Sequence, residues 1–244
     1  MNKAILVFAG KNVGLELVRF LLDESYPVHR LVLASELDYE LNALAVRSGI
    51  QVDFYSKKIQ REIIEDNENY DWILNLWSPH ILKDGLLALA SKRLNIHPSL
   101  LPNGGGNDNA MWTIRKNLRP GISLIEMERG IDVGAIYDQV EISYDFPISG
   151  KELNNLLQLE SITFFKKSWS EIYLGSKIPV KKALTSYHTR AQTNIDRVRD
   201  GRDIMSLREF ISWGLAHDFS PNTTAEVVID GIHYRLTLGL EKVV

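Results

Sequence analysis

The segment at residues 94–102 carries two polar side chains whose spacing could support acyl transfer. Asn95 and His97 alternate with apolar residues and stand directly before Pro98. Residues two apart in an extended chain point to the same side, so the amide and the imidazole project together. Pro98 disfavours helical backbone at His97 and keeps the segment extended. An amide donor beside an imidazole can stabilise a developing oxyanion and carry a proton.

A carboxylate farther along the chain completes this group. Asp132 lies in the loop 130–134, between two β-prone runs. A carboxylate that a loop returns to an imidazole orients the ring and stabilises its cationic form. We therefore interpret Asn95 as the oxyanion donor, His97 as the proton relay and Asp132 as the residue that orients the histidine. The alternative is a polar strand end with a hydrogen-bonded histidine.

The elements that must position these residues follow an alternating pattern. Buried β-prone runs alternate with amphipathic stretches, which predicts an α/β fold with a doubly wound, mostly parallel sheet. In such a sheet ligands bind at the carboxyl ends of the strands, where His97 falls. The predicted strands are 4–8, 28–34, 51–55, 72–77 and 94–97, and one of the predicted helices is 83–91.

The pattern changes after residue 98. Two β-prone runs at 122–128 and 135–142 are followed by a long amphipathic helix at 150–174. Asp230-Gly231 then separates two β-prone runs, which is typical of a hairpin. We expect a catalytic domain over residues 1–180 and a small C-terminal subdomain with a β-hairpin over residues 181–244.

Composition narrows the classes of partner. The 244 residues carry a net charge of −3 and no cysteine, which excludes disulfides, thiolate metal sites and a cysteine nucleophile. The acidic balance argues against a nucleic-acid-binding face. No apolar window approaches the ~18 residues of a membrane span. The histidines show no metal-ligand spacing. We expect a cytoplasmic protein that binds no nucleic acid, no membrane and no metal.

A glycine loop follows the first predicted strand. Gly10 and Gly14 do not form the three-glycine dinucleotide fingerprint, although the acidic Glu36 follows the second strand. We interpret the loop as a tight turn between strand and helix. NAD(P) binding is the alternative.

Two segments together resemble the N10-formyltetrahydrofolate-dependent formyltransferases. Residues 95–102 match that family's Asn-x-His-Pro-Ser-Leu-Leu-Pro segment, and residues 130–136 match its Gly-x-Asp-x-Gly-x-Ile loop. The resemblance covers roughly residues 1–175. It implies a Rossmann-like formyltransferase domain, N10-formyltetrahydrofolate as the formyl donor, and catalytic roles for Asn95, His97 and Asp132.

The resemblance also implies the donor-binding residues, because the family holds the pterin with backbone groups of two loops. His80 lies in one of these loops, and we interpret it as a loop residue rather than a second proton shuttle. The two loops match Trp77, Ser78, Pro79, His80, Ile81 and Leu82, and Arg129, Gly130 and Ile131.

The acceptor loop is most similar to that of the sugar N-formyltransferases. Residues 101–112 align with that loop without gaps and keep Asp108 and Trp112. They have Asn103 and Gly105 at the positions where that loop has its other tryptophan and its arginine. Residues 181–202 carry six basic and two acidic side chains, which suits a diphosphate. A solvated surface run is the alternative. The acceptor-binding residues implied are Lys11, Asn103, Gly105, Gly106, Asn107, Asp108, Tyr187, His188 and Arg190.

The reaction implied is formyl transfer to the amine of a dTDP- or UDP-linked amino-deoxy sugar. The product would be an N-formyl sugar for lipopolysaccharide O-antigen or similar surface polysaccharide biosynthesis. Two alternatives stay open: a glycinamide ribonucleotide formyltransferase, and a protein that binds folate or sugar nucleotides without turnover. From the family we expect a homodimer that forms through the C-terminal subdomain.

Overall fold

Helices and strands alternate along the chain as predicted. The computed structural model describes residues 4–241 and 243. The elements are β1 (Ile5–Ala9), α1 (Lys11–Asp23), β2 (Val28–Leu33), α2 (Tyr39–Arg47), β3 (Gln51–Phe54), α3 (Lys57–Asp66), β4 (Tyr70–Leu76), α4 (Asp84–Leu87), β5 (Ala90–His97), β6 (Gly105–Gly106), α5 (Asn109–Lys116), β7 (Gly121–Ile125), β8 (Ile136–Glu141), α6 (Gly150–Tyr173), β9 (Tyr187–His188), α7 (Arg190–Asp196), β10 (Val198–Asp200), α8 (Leu207–Ala216), β11 (Ala225–Ile229) and β12 (Ile232–Leu236).

A seven-stranded, mostly parallel sheet is the largest element of the fold. Its strand order is β3-β2-β1-β4-β5-β7-β8. The strands from β3 to β5 pair in parallel, and β7 runs antiparallel to β5. Every residue of β1 is fully buried, because its continuous apolar run is covered on both faces. The prediction of a doubly wound, mostly parallel α/β sheet is confirmed.

One element boundary was predicted wrongly. The predicted helix 83–91 is only the four-residue α4, and β5 begins at Ala90 rather than at residue 94. Ala90 pairs with Tyr70 of β4, so sheet pairing takes over residues whose local pattern favours a helix. The other predicted strands of the sheet agree with the structure to within about three residues at each end.

The chain forms two compact units. The first unit runs up to His97 and includes Ser123–Gln139 and Ser161–Lys182. The second contains Pro98–Ile122, Val140–Glu160 and the chain from Ala183 onward. The predicted division at residue 180 stays a prediction, since these units follow a discontinuous path along the chain.

Aromatic side chains form part of the core of the first unit. Trp72 of β4 and Trp169 of α6 are both buried, with ring centroids 5.0 Å apart in an edge-on arrangement. Phe165 stacks on Trp169 at 5.2 Å. These rings bury a large apolar area and pack α6 against β4.

The second unit has its own small sheets. β10, β11 and β12 form a three-stranded sheet whose antiparallel hairpin turns at Asp230-Gly231, as predicted. Both turn residues have positive φ, 50° and 76°, as a tight two-residue turn requires. The two-residue pairing of β6 with β9 was not predicted. No helix in the described part of the chain is long and apolar enough to span a bilayer.

Candidate active site

The end of β5 places two of the predicted catalytic residues on one face of the sheet. Asn95 and His97 are two residues apart, so both project to the same side of β5. Asn95 lies opposite Asn75 of β4, and His97 lies opposite Ser123 of β7. His97 is 4% exposed, whereas Asn95 is half-buried. The imidazole is thus fixed among neighbouring strands at the carboxyl end of β5.

The third residue reaches the histidine from a loop. Asp132 Oδ1 lies 3.3 Å from His97 Nδ1, and the Asp132 side chain is 9% exposed. The carboxylate therefore faces one nitrogen of the ring and favours the orientation in which that nitrogen carries the proton. The other nitrogen, Nε2, lies on the opposite edge of the ring and is the atom suited to proton transfer.

The loop that carries Asp132 has a constrained backbone. The Glu126 N–H donates to the Ala135 carbonyl at 2.8 Å and closes the loop between β7 and β8. A side chain at Gly134 would overlap the Glu126 backbone, so glycine is required there. Asp132 itself has φ 56°, in the left-handed region that a non-glycine residue rarely occupies. Such backbone strain is typical of functional positions.

The loop after β4, at residues 77–82, is also constrained. Trp77 has φ 68°, which is unusual for a large aromatic side chain. The buried Asn75 accepts a hydrogen bond from the Ser78 N–H at 2.9 Å. His80 stacks on Tyr55, with ring centroids 3.6 Å apart and an interplanar angle of 8°. The loop is therefore held by side chains from two different parts of the first unit.

A cavity of about 470 Å³ lies between this loop and the loop that carries Asp132. Its walls contain the apolar side chains of Leu82 and Ile131 and the backbone of Gly130. The structure thus brings together parts of the two predicted donor-binding loops. The lining residues are Ile81, Leu82, Lys83, Asp84, Gly85, Glu128, Gly130 and Ile131. The remaining predicted donor-binding residues, Trp77, Ser78, Pro79, His80 and Arg129, are not part of this lining.

A second polar cluster lies in the second unit, where β6 pairs with β9. Gly105 lies opposite Tyr187, and Gly106 lies opposite His188. The Asn107 N–H donates to the His188 carbonyl at 2.8 Å. A side chain at Gly106 would overlap that same carbonyl, and Gly106 has φ 94°, so glycine is required on two grounds.

Side chains tie the same two segments together. The His188 ring stacks on Trp112 at 4.1 Å. Burial, reinforced by the ammonium group of Lys116, lowers the pKa of His188. Asp108 has φ 59° at the start of α5 and makes no helix-capping bond; its carboxylate pairs with Arg190.

The remaining acceptor-binding predictions divide between the units. Asn103 accepts a hydrogen bond from the Thr185 hydroxyl within the second unit. Lys11 belongs to the first unit, where its backbone N–H donates to Asp38 at 3.0 Å. Asp38 also accepts from the Ser35 N–H at 3.1 Å. A carboxylate thus occupies the start of α1, where a dinucleotide phosphate would bind, which supports the tight-turn interpretation of the glycine loop.

The basic stretch 181–202 is not a cluster of unpaired charge. Lys181 pairs with Glu128 and Lys182 donates to Gln139, both within the first unit. In the second unit each arginine of the stretch has a carboxylate partner: Arg190 with Asp108, Arg197 with Glu226, Arg199 with Asp196 and Arg202 with Asp200. The excess of positive charge counted from the sequence is therefore largely neutralised by residues outside the stretch.

Sequence reasoning missed three residues that support these loops. Asn75 interrupts an otherwise apolar strand, and a buried amide in such a run is a sign of a specific hydrogen bond. Tyr55 and Asp38 had no such indication, since their partners are distant in sequence. Among the described residues, no group of three or more His, Asp or Glu side chains is arranged to hold a metal ion.

Solved structures similar to this chain are N-formyltransferases. A 4-N formyltransferase from Francisella tularensis matches with a TM-score of 0.84 and 20% identity over 99% of both chains. A sugar N-formyltransferase from Shewanella sp. matches with a TM-score of 0.79 and 18% identity over all of both chains. An N-formyltransferase from Helicobacter canadensis, in complex with folinic acid and dTDP-3-aminofucose, matches with a TM-score of 0.67 and 18% identity over 88% of this chain and 80% of that one. No protein-family model matches the chain. The similarities establish the formyltransferase fold.

Proposed function

We propose that this chain transfers a formyl group from N10-formyltetrahydrofolate to the amine of a nucleotide-linked amino sugar. The observation that carries the proposal is the pairing of His97 with Asp132 at the end of β5, with Asn95 on the same strand face. An amide, an imidazole and a carboxylate in this order supply the groups that acyl transfer needs. The similar structure from Helicobacter canadensis contains a folate and a dTDP-linked amino sugar, which agrees with both proposed substrates.

Three residues would divide the chemistry. As the sugar amine forms a bond to the formyl carbon, the carbonyl oxygen gains negative charge, and the Asn95 amide would donate a hydrogen bond to it. His97 Nε2 would accept the proton that the amine loses and return it to the folate nitrogen as the carbon–nitrogen bond breaks. Asp132 would stabilise the imidazolium that forms between the two transfers.

We assign donor binding to the cavity in the first unit. Its volume of about 470 Å³ is within the range of small-molecule sites, and its lining combines the apolar Ile81, Leu82 and Ile131 with the charged Lys83, Asp84 and Glu128. Of the predicted donor-binding residues 77–82 and 129–131, Ile81, Leu82, Gly130 and Ile131 line this cavity, and we propose that their backbone groups bind the pterin while the rest of the two loops supports them. The residues present therefore fit a folate.

We assign acceptor binding to the paired segments of the second unit. Gly105, Gly106 and Asn107 are held against Tyr187 and His188 by backbone hydrogen bonds. Asn103, Asp108 and Arg190 would contribute polar side chains, and Lys11 is proposed as a further contact. Arg190 is the residue we assign to the nucleotide phosphates. A dTDP- or UDP-linked sugar is the proposed acceptor, for O-antigen or similar polysaccharide biosynthesis.

We further propose a cytoplasmic homodimer. The β11–β12 hairpin exposes Ile229, Ile232 and Tyr234 to between 49% and 57%. A second copy of the chain would cover this apolar surface. Sedimentation velocity would report a dimer, and Ile232→Asp with Tyr234→Asp would convert it to a monomer. A wild-type monomer at micromolar concentration would contradict this part of the proposal.

A turnover assay tests the proposed reaction. The purified chain is incubated with N10-formyltetrahydrofolate and a panel of dTDP- and UDP-linked amino sugars, and mass spectrometry detects the added formyl group. We expect one or more N-formyl sugars, formed by wild type and by the control His29→Asn, whose histidine is exposed on β2, but not by His97→Asn. Folate and sugar-nucleotide binding without turnover would indicate a binding protein. Formylation of glycinamide ribonucleotide alone would indicate the other enzyme class.

A further inference from the structure

The middle of the 77–82 loop is held by one side chain through two different contacts. His80 lies face to face with Tyr55, the residue that directly follows β3. Its Nε2 lies 3.0 Å from the Ala34 carbonyl, directly after β2. A carbonyl only accepts, so Nε2 carries a proton and donates it to this bond. One ring thus connects the loop after β4 to the ends of two other strands.

The two ends of the loop are held separately. Asn75 accepts from the Ser78 N–H at the start, and Leu82 at the end belongs to a buried apolar cluster. Tyr55 packs against that same cluster, so the surface on which His80 stacks is itself supported. Ile81 lies between His80 and Leu82 and is 66% exposed. The path of the loop at Ile81 therefore depends on His80.

His80 also directly precedes the wall of the donor cavity. The cavity lining begins at Ile81 and continues through Gly85. We propose that His80 is a positioning residue, which holds the 77–82 loop in the shape that binds the folate donor and thereby sets donor affinity. This inference rests on the proposed function, because it takes the cavity as the folate site.

Three variants separate the two contacts. His80→Ala removes both, His80→Phe keeps a stacking ring but loses the hydrogen bond, and Tyr55→Leu loses the stack while the hydrogen bond stays. Each contact contributes a modest free energy, so we expect roughly 3- to 10-fold weaker folate binding for either single loss and roughly 10- to 50-fold for both. His29→Ala, an exposed histidine of the same unit, is the matched control.

Two measurements distinguish positioning from a general structural role. Calorimetry with 5-formyltetrahydrofolate, which resembles the donor but does not transfer its formyl group readily, gives the dissociation constant. In steady-state kinetics we expect the donor KM to rise moderately in His80→Phe and Tyr55→Leu and most in His80→Ala. The kcat and the acceptor KM should stay within about twofold of wild type. An equal loss for both substrates would overturn the proposal, and so would a fall in kcat alone, which would make His80 catalytic.

Hydrogen exchange of the free protein tests the loop without any ligand. We expect faster exchange of the amides at 77–82 in His80→Ala, with no change in the strands β1, β4 and β5. Unchanged exchange at 77–82 would overturn the positioning role even if the chain binds folate. If the wild-type chain binds no folate while His80→Ala still loosens the loop, the proposed function fails and the effect of His80 on donor affinity fails with it.

Discussion

The polar regions of the two units are built from different kinds of contact. In the first unit, side chains meet: His97 faces Asp132, and Asn95 stands on the same strand face. In the second unit, the backbone of two glycines of β6 pairs with β9, and the stacking of His188 on Trp112 reinforces that pairing. We propose that the His97–Asp132 pair carries out the reaction, whereas the β6–β9 pairing shapes the surface that binds the acceptor. We therefore expect substitutions at the His97–Asp132 pair to change kcat, and substitutions in the β6–β9 pairing to change the acceptor KM.

The largest effect is expected from Asp132, the carboxylate that we propose to be catalytic. Asp132→Asn keeps the size of the side chain but removes the charge that stabilises the His97 cation. General acid–base catalysis contributes about 10²- to 10⁴-fold, so we expect kcat to fall by that amount. The donor dissociation constant should change little. Glu62→Gln, a partly exposed carboxylate of α3 that pairs with Lys58 and does not line the donor cavity, is the control. A wild-type kcat in Asp132→Asn would remove Asp132 from the mechanism.

A glycine in the second unit tests the other half of the comparison. Gly106→Ala places a methyl group against the His188 carbonyl and forces alanine into a φ of 94°. We expect the acceptor KM to rise by about 10-fold or more, because β6 and β9 can no longer pair. The donor KM should not change.

The control for this variant lies in the same unit. A methyl group at Gly239 meets no atom of residues 4–241 or 243 within 4 Å, so Gly239→Ala should behave as wild type. If Gly106→Ala lowered kcat and left the acceptor KM unchanged, the division of labour between the two units would be wrong.

The parts of the site that were predictable are those fixed by local rules. Asn95 and His97 share a face because side chains alternate in any strand, and Pro98 keeps the strand extended. The pairing of β6 with β9 was not predictable, since two glycines and a Tyr-His pair carry no periodicity and meet only through tertiary structure.

The count of basic residues in 181–202 was also a poor guide to the site, because pairing depends on tertiary structure. The arginines after residue 190 are concentrated in sequence, but partners such as Glu226 and Asp108 lie far away along the chain. Composition cannot show which charges are paired.

The backbone conformation of Trp77 was not predictable either, because tryptophan rarely adopts the left-handed conformation that it has in this structure.

A buried ion pair in the second unit predicts a smaller, pH-dependent effect on stability. Burial alone would raise the pKa of Asp196, but hydrogen bonds from His217 and Arg115 hold that pKa at about 2. Because the folded pKa is below the ordinary value of 3.8, the stabilisation is complete above about pH 4 and is lost as the pH falls through about 2. The difference corresponds to about 2 kcal/mol.

Chemical denaturation checks this prediction. Asp196→Asn should be less stable than wild type by about 2 kcal/mol at pH 7, and the gap should narrow as the pH falls below about 4. Asp203→Asn, an exposed carboxylate of the same unit, is the control. A gap that stays constant down to pH 2 would mean that the charge of Asp196 is not what stabilises the fold.

The smallest effect is expected at Arg190, because the structure shows this arginine paired with a carboxylate rather than as an unpaired positive charge. Arg190 is 66% exposed and pairs with Asp108, so a phosphate must compete with that carboxylate for the guanidinium. Arg190→Ala should raise the acceptor KM by only a few-fold, and the effect should shrink as salt increases. Asp108→Asn releases the arginine without removing it, so it should lower the acceptor KM if the phosphate role is correct. If both variants raise the acceptor KM equally at every salt concentration, the pair only holds the loop and Arg190 does not bind phosphate.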